Sequence, residues 1–91
     1  MSKVTVLLFT TKNCPDCKAA KTLLNDLKKK YDFNIREMDL ERWYIEALQH
    51  QVASAPSIVI GNHVVSRGEV PEKKFLIEEI KKAMGIKAKV D

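Results

Sequence analysis

The sequence has few of the residues that small proteins use for covalent cross-linking or for crossing a membrane. Among its 91 residues there are two cysteines, three prolines and three glycines. Two cysteines are too few for the several disulfides of a small cross-linked scaffold, so the core has to come from packing of apolar side chains. No apolar run approaches the roughly 20 residues needed to cross a bilayer. The largely apolar stretch from Val4 to Phe9 is also too short for the core of a signal peptide. We therefore expect a cytoplasmic protein with no membrane partner.

Aromatic residues are scarce as well, at 7% of the chain, and positive charges outnumber negative charges only slightly. The apolar content of 45% and the charged content of 31% are typical of a globular protein. A chain of this length forms one domain, which we place at residues 1–91 and expect to act as a monomer. The net charge of +4 comes mainly from two lysine clusters, at residues 28–30 and 81–82. No aromatic residues are interleaved with these lysines, which argues against a nucleic acid partner.

Both cysteines fall in one short stretch, between the first apolar run and a helical pattern. Residues at i and i+3 share one face of a helix, so Cys14 and Cys17 can close a disulfide with little distortion of the backbone. Pro15 suits the first helical position, because the N–H that it lacks would have no partner there. Cys14 is then the N-cap, and its sulfur faces the free N–H groups of Asp16 and Cys17. Such a position lowers the pKa of a thiol from about 8.5 into the range of roughly 3.5 to 7.5. The motif therefore places one activated sulfur beside one resolving sulfur.

The apolar pattern around this motif predicts alternating strands and helices. The stretch from Val4 to Phe9 predicts a strand that is covered on both faces. A stripe of apolar residues at helical spacing follows the motif: Ala20, Leu23, Leu24, Leu27 and Tyr31. A second short strand is predicted from Phe33, Ile35 and Met38. A right-handed crossover between the two strands makes them parallel.

The second half of the chain predicts a helix, a hairpin and a last helix. Asp39 is expected to cap the second helix. The apolar stripe of that helix is Leu40, Trp43, Tyr44, Ala47, Leu48 and Val52. Two β-branched runs on either side of Gly61-Asn62 predict an antiparallel hairpin. Pro71 suits the start of the last helix and Gly85 its end, and residues 86–91 are expected to form a frayed end. The apolar residues of the last helix are Phe75, Leu76, Ile80, Ala83 and Met84. The order β-α-β-α-β-β-α predicts an α/β fold with a four-stranded mixed sheet flanked by helices.

A strand that leads into Cys-Pro-x-Cys at a helix start, with a later X-Pro pair that opens a hairpin, resembles the thioredoxin and glutaredoxin superfamily. The resemblance extends from Val4 to Gly85 and implies a thioredoxin-like fold. It implies thiol–disulfide exchange, with Cys14 as the nucleophile and Cys17 as the resolving thiol of a redox-active disulfide. It also implies a cis bond at Ala55-Pro56, where the backbone of Ala55 would pair with a bound substrate like an added strand. The other residues of the implied substrate site are Pro15, Asp16, Arg67 and Gly68.

The resemblance implies disulfide-bearing proteins as substrates and an upstream reductase as a partner. Glutaredoxins have a Gly-Gly pair that helps to hold glutathione where this chain has Ser66-Arg67-Gly68, although Arg67 lies close to where they bind a glutathione carboxylate. Thioredoxins have a buried acid where this chain has Leu8, and a tryptophan where it has Asn13. The chain is therefore similar to glutaredoxin-sized proteins that do thioredoxin-like work, with a glutathione-dependent glutaredoxin as the alternative. We expect no bound cofactor, and glutathione only as a co-substrate. A flavin-dependent reductase, a ferredoxin-linked reductase and glutathione are all open as electron donors.

Two cysteines at this spacing also suit soft metal ions, which are the main alternative to redox chemistry. Copper chaperones place a C-x-x-C motif between their first strand and first helix, because Cu(I) prefers thiolates. Their element order, however, is β-α-β-β-α-β. An iron–sulfur cluster bridging two subunits, held with glutathione, is a further alternative. His50 and His63 are candidate zinc ligands beside the cysteines, but their spacing fits no familiar zinc motif. We therefore predict no metal site.

Overall fold

A computed structural model describes residues 4–61 and 63–85 of the chain. The elements are β1 (Val4–Thr10), α1 (Pro15–Lys28), β2 (Phe33–Asp39), α2 (Tyr44–Gln49), β3 (Ser57–Ile60), β4 (His63–Arg67) and α3 (Lys73–Ala83). The predicted order β-α-β-α-β-β-α and the α/β class are confirmed. This order differs from that of the copper chaperones. The frayed end expected at residues 86–91 lies outside the described residues, as does Asn62 of the predicted hairpin turn.

The four strands form one mixed sheet in the order β2-β1-β3-β4. Strands β1 and β2 are parallel, as the crossover predicts, and β3 pairs antiparallel with both β1 and β4. Near the carboxyl end of β1, Phe9 lies opposite Ser57, which in turn lies opposite Arg67. The end of β1, the start of β3 and the end of β4 therefore share one end of the sheet. We call it the cysteine end, because the loop after β1 leads to Cys14.

Both faces of the sheet are covered, as the continuous apolar pattern of β1 predicts. Successive residues of a strand point to opposite faces, so Leu8 and Phe9 belong to different clusters. The larger cluster lies between the sheet and helices α1 and α3, and its fully or nearly fully buried members are Val6, Leu8, Ala20, Leu24, Leu27, Phe33, Ile58, Ile60, Leu76 and Ile80. The smaller cluster lies on the side of α2 and consists of Phe9, Met38, Ala47, Val52 and Val59. The apolar side chains on both faces of the sheet are therefore packed, and the cysteine end extends from this packed sheet.

The second helix begins later than the sequence pattern predicts. Asp39 was expected to cap it, but α2 starts only at Tyr44. Asp39 instead stabilises a turn, in which its carboxylate accepts a hydrogen bond from the N–H of Glu41 at 2.8 Å. Its carbonyl accepts another from the N–H of Trp43, also at 2.8 Å. An aspartate carboxylate can accept a hydrogen bond in a turn as readily as it can cap a helix. An aspartate at this position therefore does not distinguish a turn from a helix start.

The same helix is less buried than its apolar stripe predicts. Ala47 and Val52 are buried, and Trp43 packs against the same cluster. Tyr44 and Leu48, however, are 58% and 62% exposed, so the apolar stripe of this helix is not buried along its whole length. A helix of six residues has fewer than two turns, and only its Ala47 side faces the sheet.

The last helix begins two residues after Pro71, with Glu72 as its N-cap. It ends as predicted, with Gly85 at a φ of +80° after the last turn. Leu76 and Ile80 are buried, whereas Phe75 is 41% exposed. In the ranges 4–61 and 63–85, no helix is both long enough and apolar enough for a membrane crossing.

Candidate active site

Cys14 occupies the N-cap of α1, and Pro15 takes the first helical position, as the sequence predicts. The backbone of Cys14 is extended, with φ −136° and ψ 91°. Its sulfur accepts a hydrogen bond from the N–H of Cys17, with an N···S distance of 3.1 Å. The sulfur therefore lies where a serine or aspartate oxygen would cap the helix, and this confirms the capping prediction for Cys17.

The two cysteines are joined by a disulfide, with their Cα atoms 5.2 Å apart. This separation lies well within the range of about 4.4–6.8 Å that disulfides adopt. The two sulfur-bearing residues differ in access, because Cys14 is half-buried whereas Cys17 is 7% exposed. Cys14 is therefore the cysteine that an incoming group can reach more readily.

The motif and its flanks project from the cysteine end of the sheet. The exposed residues around the disulfide are Thr11, Lys12, Asn13, Pro15, Asp16 and Lys18. Asp16 lies in the first turn of α1, where a carboxylate interacts favourably with the positive end of the helix dipole. The predicted contact of Pro15 and Asp16 with substrate stays a prediction.

The loop before β3 reaches the same end of the sheet. The bond between Ala55 and Pro56 is cis, as predicted. Pro56 is buried and Ala55 is half-buried. Within the part of the chain that the structure describes, no hydrogen bond involves the N–H or the C=O of Ala55. Both backbone groups are thus free to pair with an extended segment of another molecule.

Arg67 and Gly68 connect the end of β4 to this loop. The Arg67 Nε donates a hydrogen bond to the carbonyl of Gln51 at 3.1 Å. The N–H of Gly68 donates to the carbonyl of Pro56 at 2.8 Å. The two residues predicted to bind substrate therefore lie beside the loop and also hold it in place.

Sequence reasoning did not single out Ser57, which completes this arrangement. Its hydroxyl is buried and donates to the carbonyl of Ser54 at 2.6 Å. It also accepts from the N–H of Gly68 at 3.3 Å. The available signal was a polar residue directly after Pro56, at the start of a strand that is otherwise β-branched and apolar.

The two histidines are engaged elsewhere in the fold. The ring of His50 packs against that of Phe9, with centroids 6.4 Å apart. The Nε2 of His63 lies 3.5 Å from a carboxylate oxygen of Glu79. Among residues 4–61 and 63–85, no group of three or more histidine, cysteine, aspartate or glutamate side chains is arranged to hold a metal ion.

Comparison with known proteins places this geometry in a family. The glutaredoxin family model matches residues 6–65, a range that contains both cysteines and Pro56. A thioredoxin of Methanocaldococcus jannaschii is 31% identical over 86 residues, which cover 92% of this chain and 100% of that protein.

Two solved structures agree with these matches. Thioredoxin-2 of the malaria parasite, described as a component of its protein secretion machinery, is 27% identical with a TM-score of 0.71, and the match covers 88% of this chain and 82% of that one. Thioredoxin f of spinach chloroplast is 26% identical with a TM-score of 0.71, and the match covers 90% of this chain and 77% of that one.

Proposed function

This chain belongs to the thioredoxin and glutaredoxin superfamily and is a thiol–disulfide oxidoreductase, and we propose that it reduces disulfides in other proteins. One observation carries the proposal: the sulfur of the half-buried Cys14 caps α1, while Cys17 is 7% exposed in the first turn of that helix. The N–H that reaches Cys14 and the end of the helix dipole both favour a thiolate there. Cys14 is therefore the nucleophile and Cys17 the resolving thiol.

In the first step, the Cys14 thiolate attacks one sulfur of a substrate disulfide. A bond forms between that sulfur and Cys14 Sγ while the substrate disulfide breaks, and the second substrate sulfur leaves as a thiolate that takes up a proton. The Cys17 thiol, on losing its proton, then attacks Cys14 Sγ and breaks the mixed disulfide. The first substrate sulfur leaves and is protonated in turn. Two electrons have passed from the cysteine pair to the substrate, and the Cys14–Cys17 disulfide remains.

A new turnover needs two electrons from outside the protein. We propose an upstream reductase, either flavin-dependent or ferredoxin-linked, as their source, with glutathione as the alternative. The reductant opens the Cys14–Cys17 disulfide by the same exchange in reverse. We further propose that the protein is a monomer, that it works in the cytoplasm and that it has no bound cofactor.

The substrate is proposed to lie against the loop before β3. The free N–H and C=O of Ala55 can pair with the backbone of an extended substrate segment, beside Pro56. Backbone pairing does not depend on the sequence of the substrate, which suits a reductant of several proteins. Pro15, Asp16 and Gly68 would border this segment.

The second candidate is a glutaredoxin that uses glutathione, which the family match to residues 6–65 favours. Arg67 is the residue expected to bind a glutathione carboxylate. Its Nε already donates to the carbonyl of Gln51, at 3.1 Å, which leaves its terminal nitrogens for a ligand. Ser66-Arg67-Gly68 nevertheless stands where glutaredoxins have the Gly-Gly pair that helps to hold glutathione, so we rank protein disulfides first and glutathione second.

Two assays run in parallel test the proposal. The first follows reduction of the insulin disulfides, and the second follows reduction of a mixed disulfide between glutathione and a small thiol. We expect activity with insulin and little with the glutathione mixed disulfide. Activity confined to the glutathione substrate would establish the glutaredoxin alternative. Absence of both activities in the folded, reduced protein would refute disulfide reduction altogether.

A further inference from the structure

Ser57 is the first residue of β3 and directly follows Pro56. Its side chain has 0% exposure, and its hydroxyl has a partner on each side. It donates to the carbonyl of Ser54 at 2.6 Å and accepts from the N–H of Gly68 at 3.3 Å. A serine hydroxyl has one proton to donate, and here that proton is directed at one carbonyl. Removing the hydroxyl would leave that carbonyl without its partner.

The two partners of Ser57 lie on either side of the proposed substrate-binding backbone. Ser54 directly precedes Ala55, and the N–H of Gly68 also donates to the carbonyl of Pro56 at 2.8 Å. Gly68 approaches so closely that a Cβ added to it would lie 2.9 Å from the hydroxyl oxygen of Ser54. Ala55 itself makes no hydrogen bond within residues 4–61 and 63–85, so its orientation depends on these neighbours.

We propose that Ser57 is a positioning residue for substrate binding, which acts by holding the Ser54 carbonyl and thereby the backbone of Ala55. The inference rests on the proposed function, because it assigns to Ser57 the orientation of the backbone that the substrate pairs with. When the hydroxyl is absent, residues 53–55 lose an anchor and have to be ordered again at each binding event, which weakens binding. The reactivity of Cys14 depends instead on the start of α1, to which Ser57 makes no hydrogen bond among the described residues. The hydroxyl should therefore affect the KM for a protein substrate and not the chemistry of the thiol.

The experiment compares the wild type with Ser57→Ala and Ser57→Thr on two substrates. Insulin is the protein substrate, and 5,5′-dithiobis(2-nitrobenzoate) is a small aromatic disulfide that needs no backbone pairing. Ser66→Ala is the matched control, because Ser66 is a buried serine of β4 whose hydroxyl has no hydrogen-bond partner among the described residues. Circular dichroism and urea unfolding establish that each variant is folded.

We expect Ser57→Ala to raise the KM for insulin about three- to tenfold, the effect of losing one part-buried hydrogen bond. Its kcat, and its rate with the small disulfide, should stay within about twofold of the wild type, as should every constant of Ser66→Ala. Ser57→Thr keeps the hydroxyl and should restore the KM. If the added methyl group prevents folding of Ser57→Thr, the comparison of Ser57→Ala with Ser66→Ala decides the question.

Two results would overturn the positioning role. One is a KM for insulin that is the same in Ser57→Ala and Ser66→Ala. The other is an equal loss of rate on insulin and on the small disulfide, which would mean that the hydroxyl serves only the stability of the fold. Failure of the wild type to reduce insulin would instead refute the proposed function, so the two failures are distinguishable.

Discussion

The sulfur of Cys14 lies 3.1 Å from the backbone nitrogen of Cys17, whose N–H donates a hydrogen bond to it. The residue that supplies this hydrogen bond is also the proposed resolving cysteine, so one turn of helix places the N–H donor and the second thiol beside the same sulfur. Cys17 is 7% exposed and Cys14 is half-buried, which separates the sulfur that meets substrate from the sulfur that completes the exchange. The asymmetry of the mechanism therefore follows from the position of the pair at a helix start.

Substitution of each cysteine should have a different consequence. Cys14→Ser removes the nucleophile and should abolish reduction of insulin. Cys17→Ser leaves the nucleophile but removes the group that resolves the mixed disulfide, so the variant should accumulate covalently bound to its substrate. Non-reducing electrophoresis and mass spectrometry would detect the adduct. Repeated turnover by Cys17→Ser with no added thiol would contradict the assigned roles.

The reduced protein should be alkylated first at Cys14. Cys14 is half-buried and its sulfur accepts a hydrogen bond from the N–H of Cys17, whereas Cys17 is only 7% exposed. Brief treatment with iodoacetamide at neutral pH, followed by peptide mapping, would measure the two rates. In urea the helix start is lost, and we expect the two cysteines to react at similar rates. Faster modification of Cys17 in the folded protein would be incompatible with the proposed order of attack.

The ion pair between α1 and α3 should make stability depend on pH in the acid range. Lys73 Nζ lies 3.0 Å from Asp26 Oδ2, and its hydrogen bond and charge lower the pKa of Asp26 below 3.8. A carboxylate whose pKa is lowered on folding stabilises the protein above the pKa of the unfolded chain, and this contribution is lost as the pH falls through the folded value. Both side chains are about half exposed, at 48% and 51%, so the effect is small and weakens with added salt.

Lys73→Gln tests this pair. Urea unfolding at neutral pH should show a small loss of stability relative to the wild type, and the difference should disappear well below pH 3.8. Lys74→Gln is the control, since Lys74 is an exposed neighbour with no ion pair among the described residues. A difference between Lys73→Gln and the wild type that persists unchanged in acid would show that charge on Asp26 is not its cause.

Gly68 and Gly61 should respond differently to alanine. Both have positive φ, at +76° and +62°, so both substitutions place an L-residue in a backbone region that costs about 1–2 kcal/mol. A Cβ on Gly61 would meet nothing within 4 Å, whereas one on Gly68 would lie 2.9 Å from Ser54 Oγ. Gly68→Ala should therefore lose more stability than Gly61→Ala in urea unfolding, because the Ser54 side chain has to shift to make room for the added methyl group. Equal losses would mean that Ser54 can move aside freely.

Leu24 in α1 and Leu48 in α2 should contribute differently to the free energy of unfolding. Leu24 is fully buried, so Leu24→Ala should cost about 2–5 kcal/mol of unfolding free energy. Leu48 is 62% exposed, and Leu48→Ala should change that free energy by less than about 0.5 kcal/mol. Chemical denaturation measures both. A large loss for Leu48→Ala would contradict the small contribution that its exposure implies.

Local chemistry explains why so much of the site was predictable. The capping sulfur, Pro15 at the first helical position and the element order all depend on residues close together in the chain. The apolar run of β1 indicated a strand buried on both faces, and a strand of that kind has to lie inside a sheet. The cis bond before Pro56 was predicted from the family resemblance and not from the residues alone.

The sequence by itself determined the reactive stretch, because spacing and helix capping operate over a few residues. Only the tertiary structure decided what the rest of the chain contributes. Tyr44 and Leu48 have the spacing of core residues, but their burial depends on whether another element covers them, and none does so among the described residues. The N–H of Gly68, which donates to the Ser57 hydroxyl, likewise lies eleven residues away in sequence, and sheet pairing brings it to the same loop. Contacts between residues far apart in sequence depend on how the elements pack. The residue pattern of one segment therefore does not predict them.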